Sequence, residues 1–414
     1  MKFVADFHLH SKYSRATSKD MDLESLNKWG KIKGIKVLGT GDFTHPEWFS
    51  NLKEKLKPAE PGLFKLKGET DTRFMLTSEI SCIYSKNGKV RKIHILVFAP
   101  SFEAVDKINA HLGWIGNLKS DGRPILGLDA KELVKIVLNA SPECLVVPAH
   151  LYTPWFSLFG SKSGFDSIEE CFEEYSKYIY AGETGLSSDP PMSWRNSSLD
   201  KITLLSNSDC HSPSKIGREA NVFDLDLSYQ NIAQAIKEKD GSKFLYTIEF
   251  FPQEGKYHYD GHRNCGISLA PAESKKYNNV CPTCGRGLTI GVMNRVEALA
   301  DRKEGFSPEG AIPFKSLIPL EEIVAESLGM TTASQRVKNE YKNLIKNFKT
   351  EFTVLLNASR QELESATLPE IAEGVIRVRE GKVFIEPGYD GVYGKVKLFS
   401  RGEQKELSKQ GTLI

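Results

Sequence analysis

Nine histidines are spread through 414 residues, yet six of them alternate with carboxylates at recurring places over the first 211 residues. They form the groups His8 and His10, Asp42 and His45, Glu79, His94, His150, Glu183, and Asp209 with His211. A lone histidine is an ordinary core or surface residue. Six, interleaved with four acids, form a donor set for divalent metal, and the absence of thiolates among them suits zinc, manganese or iron rather than calcium or an iron–sulfur cluster. That is more ligands than one ion needs, and a carboxylate such as Glu79 can bridge two ions about 3.5–4 Å apart, the arrangement that serves phosphoester hydrolysis. Such ions lower the pKa of a bound water and neutralise charge on phosphoryl oxygens. Asp42, Glu79, Glu183 and Asp209 are the expected catalytic carboxylates. No Gly-rich phosphate loop opens a helix and no Gly-x-Ser-x-Gly elbow occurs, which excludes P-loop transfer and serine hydrolysis.

A second donor group has a different character. Of seven cysteines, Cys265, Cys281 and Cys284 lie within twenty residues, and His262 stands at the same two-residue gap from Cys265 as Cys281 does from Cys284. Three thiolates and one imidazole fill a tetrahedral zinc site with protein ligands, so one structural zinc is expected there, with His258 as the weaker candidate for fourth ligand. The remaining cysteines, Cys82, Cys144, Cys171 and Cys210, read as small buried hydrophobes. Clustering of this kind in a reducing compartment indicates metal rather than disulfides.

The barrel ligands need elements that bring them to one place. Seven short apolar runs, at residues 3–6, 35–40, 74–77, 93–99, 144–148, 178–181 and 202–205, alternate with helical stretches and read as strands of a parallel sheet. The donor groups follow the ends of these runs, except that His94 opens the fourth. Seven βα steps favour a closed barrel with its site at the carboxyl ends of the strands. The expected architecture is α/β: a distorted seven-stranded βα barrel over residues 1–250, a zinc ribbon over 251–292, and a mainly helical domain over 293–414. Ser334 is expected to cap a helix ending near Phe348, whose Lys338, Lys342 and Lys346 share one face as solvated charges or as phosphate contacts. With 40% hydrophobic and 26% charged residues and a net charge of +2, the composition is that of a soluble globular chain with no wholesale attraction to nucleic acid or membrane. A cytoplasmic location is expected.

His8-Leu9-His10, Glu79, His94, His150 and Asp209-Cys210-His211 resemble the motifs of the polymerase-and-histidinol-phosphatase (PHP) superfamily of metal-dependent phosphoesterases. The resemblance implies one metal on His8, His10, Glu79 and Asp209 and a second on Glu79, His94 and His150. A third, where the superfamily has it, uses His211 and two further histidines. Here Arg15 and Ala16 occupy the place of one and Gly41-Asp42-Phe43 that of the other, leaving His45 or Asp42 as substitutes. Two or three divalent ions (zinc, manganese or magnesium) are therefore implied.

A resemblance to the endonuclease Q family covers nearly the whole chain. It rests on residues 39–46 (Gly-Thr-Gly-Asp-Phe-Thr-His-Pro), His150-x-x-Thr153-Pro154-Trp155, Gly182-Glu183-Thr184-Gly185, the cysteine ribbon and Asn294-Arg295-Val296-Glu297. It implies an archaeal or bacterial DNA-repair nuclease that cuts 5′ of deaminated bases (hypoxanthine, uracil, xanthine) and abasic sites, with damaged DNA as partner. Base recognition would require an extrahelical pocket, for which Tyr152, Trp155, Phe156, Trp194 and Arg195 are the candidates. Two other classes stand beside it: a phosphatase of small phosphate monoesters, and a DNA-binding scaffold with an inactive metal site. The tail carries Gln410 and Leu413 in a Gln-x-x-aliphatic pattern that begins a sliding-clamp peptide but lacks its aromatic pair.

Overall fold

The computed structural model describes residues 1–400, Gly402 and Glu403, so the tail with Gln410 and Leu413 lies outside the described residues. Each of the seven apolar runs contains or touches a strand: β1 (Lys2–Asp6), β2 (Val37–Gly39), β3 (Arg73–Lys86), β4 (Lys89–Ala99), β5 (Leu145–Pro148), β6 (Ala181–Glu183) and β7 (Thr203–Leu205). The sixth run was expected at 178–181, but a 3₁₀ turn occupies Glu173–Tyr178 and the strand starts at Ala181.

β1, β2 and β3 pair in parallel, as do β6 and β7. The expectation of parallel strands throughout fails in the middle, where β3 and β4 form one long antiparallel hairpin and β4 also pairs antiparallel with β5. The cause is Asn87-Gly88, with φ of 54° and 69°, a pair suited to the left-handed two-residue turn that matches strand twist. This reversal explains why His94 opens its run. β4 travels the opposite way, so its early residues lie at the end where the other strands finish, and His94 pairs with Ser81, two residues past Glu79. Backbone bonds link the remaining neighbours: Leu151 N donates to Glu183 O at 2.9 Å, and His10 N to Cys210 O at 3.1 Å beside a parallel Leu9–Cys210 bridge. One apolar cluster draws on all seven strands, including Ala5, Val37, Met75, Leu96, Val147, Ala181 and Leu205.

On the other side of β1 the sheet continues through β8 (Ala220–Asp224) and β9 (Phe244–Glu249), both antiparallel, to β10 (Phe314–Ser316) parallel to β9. The sheet thus takes its last strand from beyond the cysteine segment. The cysteines stand around a hairpin of Asp260–His262 and Ile267–Leu269. Helices Leu320–Ser327, Gln335–Phe348, Arg360–Ala366 and Pro369–Arg379 follow. Ser334 holds the expected N-cap position of the second, although its side chain makes no cap bond. Lys33, at the end of the helix Leu23–Lys33, joins this part to the first half of the chain: its Nζ meets Glu351 at 2.7 Å, both side chains are buried, and Glu351 also accepts Tyr341 Oη at 2.6 Å and Leu320 N at 3.1 Å.

Gly39 lies where three strands converge, and a Cβ there would overlap the Phe7 carbonyl oxygen and the Thr77 hydroxyl. Gly39→Ala is expected to destabilise the protein by about 1–3 kcal/mol through overpacking, read as a lower denaturation midpoint. An unchanged midpoint would contradict this packing.

Candidate active site

Alternation along the strand is what gathers the ligands. His8 and His10 flank buried Leu9 and point together toward Glu79, which is fully buried in β3. The two carboxylate oxygens of Glu79 face different partners. Oε1 lies 2.7 Å from His94 Nδ1 and 3.0 Å from His150 Nε2. Oε2 lies 3.3 Å from His10 Nε2 and 3.5 Å from His8 Nε2. Asp209 Oδ1 closes the second group at 3.0 Å from His10 Nε2 and 3.6 Å from His8 Nε2. His8, His10, Glu79 and Asp209 therefore form one candidate metal cluster, and Glu79, His94 and His150 another, with Glu79 in both. These are the two sets that the motif resemblance implied.

Two expected catalytic carboxylates have a different place. Glu183 Oε1 is 2.9 Å from His8 Nδ1 and accepts Asn207 Nδ2, while its Oε2 accepts the His150 backbone N–H at 3.0 Å. Asp42 Oδ1 is 3.1 Å from His10 Nδ1, and its Oδ2 accepts Ser11 N, Ser11 Oγ and Ser14 Oγ. Both sit behind the histidines and hold the orientation of the rings, as outer carboxylates do for metal ligands. Their hold leaves His8 Nε2 buried and without a hydrogen-bond partner, aimed at Glu79 and Asp209. An orphaned imidazole nitrogen beside two carboxylates fits a divalent cation. Asp42, His150 and Asp209 all have positive φ (48°, 33° and 45°), a strained setting that clusters at functional sites.

The electrostatics divide the same way. Burial alone would lower His8 and His10, but the carboxylates around them (Glu183, Asp209 and Glu79 for His8, Asp42 foremost for His10) hold both imidazoles well above the ordinary value. Burial works against the Glu79 charge, yet His94, Arg123 and His8 keep its carboxyl well below the usual range. Burial lowers His94 to about 4 against the opposing pull of Glu79.

His45 and His211 join neither cluster. His45 caps the helix Pro46–Lys55, stacks on Tyr13 at 4.4 Å and leaves its buried Nδ1 unpartnered. His211 lies 4.5 Å from the His10 ring with its Nδ1 on the Asp209 carbonyl at 2.9 Å. Among the described residues no third barrel group comes together. Arg123, whose Nη1 lies 3.0 Å from Glu79 Oε2, escaped the sequence reading. It sits in a Gly122-Arg123-Pro124 turn that follows no strand and carries no periodicity, so nothing local marked it.

The candidate pocket residues separate. Trp155 is the exposed aromatic of its loop at 51%, and Phe156 lies tilted over the His94 ring at 4.7 Å. Tyr152 is instead buried against Phe159. Trp194 packs on Phe314 and Arg195 pairs with Glu297, contacts that fasten the later segments to the first half of the chain. The Asn294–Glu297 motif serves the same end: Arg295 donates to the carbonyls of Phe159 and Phe165, and Asn294 to Asp260. Lys338, Lys342 and Lys346 are exposed along their helix.

His262, Cys265, Cys281 and Cys284 converge as a third candidate cluster. Burial raises Cys281, but backbone N–H groups of Cys284 and Thr283 outweigh it and bring the thiol to about 6, toward the thiolate that zinc binds. His258 is buried elsewhere and takes no part. Two variants separate the metal groups. Glu79→Gln is expected to reduce metal bound in the barrel and spare the cysteine site, whereas Cys281→Ser with Cys284→Ser should remove the cysteine-bound metal and lower the melting temperature. Elemental analysis of the purified variants checks both. Equal metal content in Glu79→Gln and the wild type would contradict the shared-ligand arrangement.

A family model described as the MJ0043 C-terminal domain matches residues 319–382. The uncharacterized protein MJ0043 of Methanocaldococcus jannaschii is 36% identical over 253 residues, 59% of this chain, and the match spans 31% of the length of that relative. The uncharacterized protein YqxK of Bacillus subtilis is 29% identical over 96% of this chain and 99% of its own. Among solved structures, the lesion-specific endonuclease PfuEndoQ from Pyrococcus furiosus superposes with a TM-score of 0.86 at 31% identity, covering 96% of this chain and 95% of that one. Endonuclease Q in complex with a 27-mer duplex bearing an abasic lesion at the active site gives 0.85 at 31% identity, with 98% of each chain covered. Identity at this level over nearly the whole of both chains, on the same fold, means that the chain belongs to the endonuclease Q family.

Proposed function

We propose that this protein is a metal-dependent DNA-repair endonuclease, hydrolysing the phosphodiester on the 5′ side of deaminated bases (hypoxanthine, uracil, xanthine) and of abasic sites. The observation that carries it is the pair of clusters sharing Glu79, in a chain whose full-length structural relatives are lesion-specific nucleases. The seven strands, with the Leu9–Cys210 bridge and their common apolar cluster, support a distorted PHP barrel over residues 1–250. A zinc-binding segment over 251–292 and a helical domain over 293–414 complete the proposed division, with Trp155, Lys338, Lys342 and Lys346 as DNA contacts.

Divalent ions in the two clusters would supply Lewis-acid charge and a bound water acidic enough to ionise near neutral pH. The chain supplies everything else. Glu183 and Asp42 hold the far nitrogens of His8 and His10, so each ring is oriented with its Nε2 toward the site. Burial of Glu79 and His8 excludes competing water and strengthens these electrostatic contacts. Asp209, with 25% of its side chain exposed, is the proposed ligand most open to solvent. A cytoplasmic location accords with a DNA substrate.

End-labelled duplexes, each with one uracil, hypoxanthine, xanthine or abasic site, test the reading. Nicking 5′ of the lesion that chelator abolishes and divalent metal restores is expected, and Asp209→Ala should lower the rate by at least about a hundredfold while the protein stays folded. Release of phosphate from a monoester without any nicking would favour the phosphatase reading, and neither activity would favour a binding scaffold.

A further inference from the structure

Arg123 has so far appeared only as a charge beside Glu79. Its turn is pinned on four sides: Gly122 N donates to Tyr13 O at 3.0 Å, Thr44 Oγ1 to Gly122 O at 3.2 Å, Ser81 N to Pro124 O at 3.0 Å, and Arg123 N to Asp121 Oδ1 at 3.2 Å. Gly122 is packed so closely that a Cβ would overlap Asp42 Oδ2 and Ser14 Oγ. Asp121 is buried and also accepts the Arg15 backbone N–H at 3.2 Å, tying this turn to the loop after the first histidine motif. From this fixed base the Arg123 side chain reaches Glu79 Oε2 at 3.0 Å while 26% of it remains exposed.

Glu79 Oε2 is also the oxygen turned toward His8 and His10, the group in which His8 Nε2 is orphaned. A cation bound there and a guanidinium would contend for one oxygen, and two positive groups so close repel. A partly exposed side chain on a rigid turn would then turn toward the solvent side of the site, where Asp209 is also the most exposed of the clustered groups. That is where the phosphate of a substrate would approach, and a guanidinium's planar fork of donors matches two phosphate oxygens. Beside the two groups that share Glu79, a fixed arginine would add positive charge for the phosphoryl group.

We propose that Arg123 is a catalytic residue that releases Glu79 when metal binds and donates to the non-bridging oxygens of the scissile phosphate, with Asp121 as its positioning residue. The phosphodiester substrate rests on the functional reading above. The phosphate contact does not, and the test keeps the two apart. Calorimetry with inorganic phosphate on the metal-loaded protein is expected to show affinity at least about tenfold weaker in Arg123→Ala. Metal affinity, measured separately by titration of the stripped protein, should be unchanged or tighter, because a competitor for Glu79 has gone. Single-turnover nicking of an abasic duplex should fall by about 10²–10³-fold, as for loss of a preorganised donor to developing charge, and millimolar guanidinium should restore part of it. Arg123→Lys, which keeps the charge without the fork, should retain phosphate binding better than alanine and serves if the alanine variant does not fold. Unchanged phosphate affinity in both variants, or loss of metal along with activity, would overturn the proposal. A wild-type chain that binds phosphate through Arg123 yet nicks no duplex would overturn the functional reading alone.

Discussion

The structure depends on one carboxylate shared between two groups of histidines. Glu79 is buried on β3, and each of its oxygens faces a different pair of imidazole nitrogens, His94 with His150 and His8 with His10. A buried carboxylate without compensation costs several kcal/mol. Here the surrounding cationic and polar groups provide that compensation and hold its carboxyl well below the ordinary range. The same concentration of donors is unsuitable for a hydrophobic core and well suited to holding cations.

The fold can be understood as the device that brings these groups together. Parallel strands β1, β2 and β3 deliver His8, His10 and Glu79 to one end, while the hairpin reversal at Asn87-Gly88 returns β4 so that His94 reaches the same place. Glu183 and Asp42 stand behind the rings and orient them. The later segments are tied to this core by specific polar contacts: β10 extends the sheet, Arg195 pairs with Glu297, Arg295 holds the carbonyls of the aromatic loop, and Lys33 meets Glu351 in the interior. A path of packed groups thus runs from the cysteine cluster and helices to the loops around the site.

Much of this was legible in the sequence because the groups that matter recur at strand ends. His8, His10, Glu79, His94, His150 and Asp209 were named from that register and from the motif resemblance, and the structure gathers all six. The cysteine cluster was legible from spacing alone. Division of labour was not. Asp42 and Glu183 have the same residue type and register as Glu79 and Asp209, and only the three-dimensional placement of carboxylate behind imidazole separates an orienting partner from a candidate ligand. The contacts of Trp194 with Phe314 and of Arg195 with Glu297 were not legible, because their partners lie about a hundred residues away in the sequence. The reversed direction of β4 was written in Asn87-Gly88 and was overlooked because the flanking apolar runs suited a parallel sheet equally well. Arg123 had no local signal, since its importance comes from where its turn is anchored.

The central claim is that Glu79 is the shared ligand of two metal ions. Anomalous diffraction from crystals grown with manganese tests it most directly. The account predicts two anomalous peaks about 3.5–4 Å apart, one beside His8, His10 and Asp209 and the other beside His94 and His150, with the Glu79 carboxylate between them. A single peak, or two peaks neither of which touches Glu79, in crystals of protein that still cleaves a lesion-bearing duplex would contradict it.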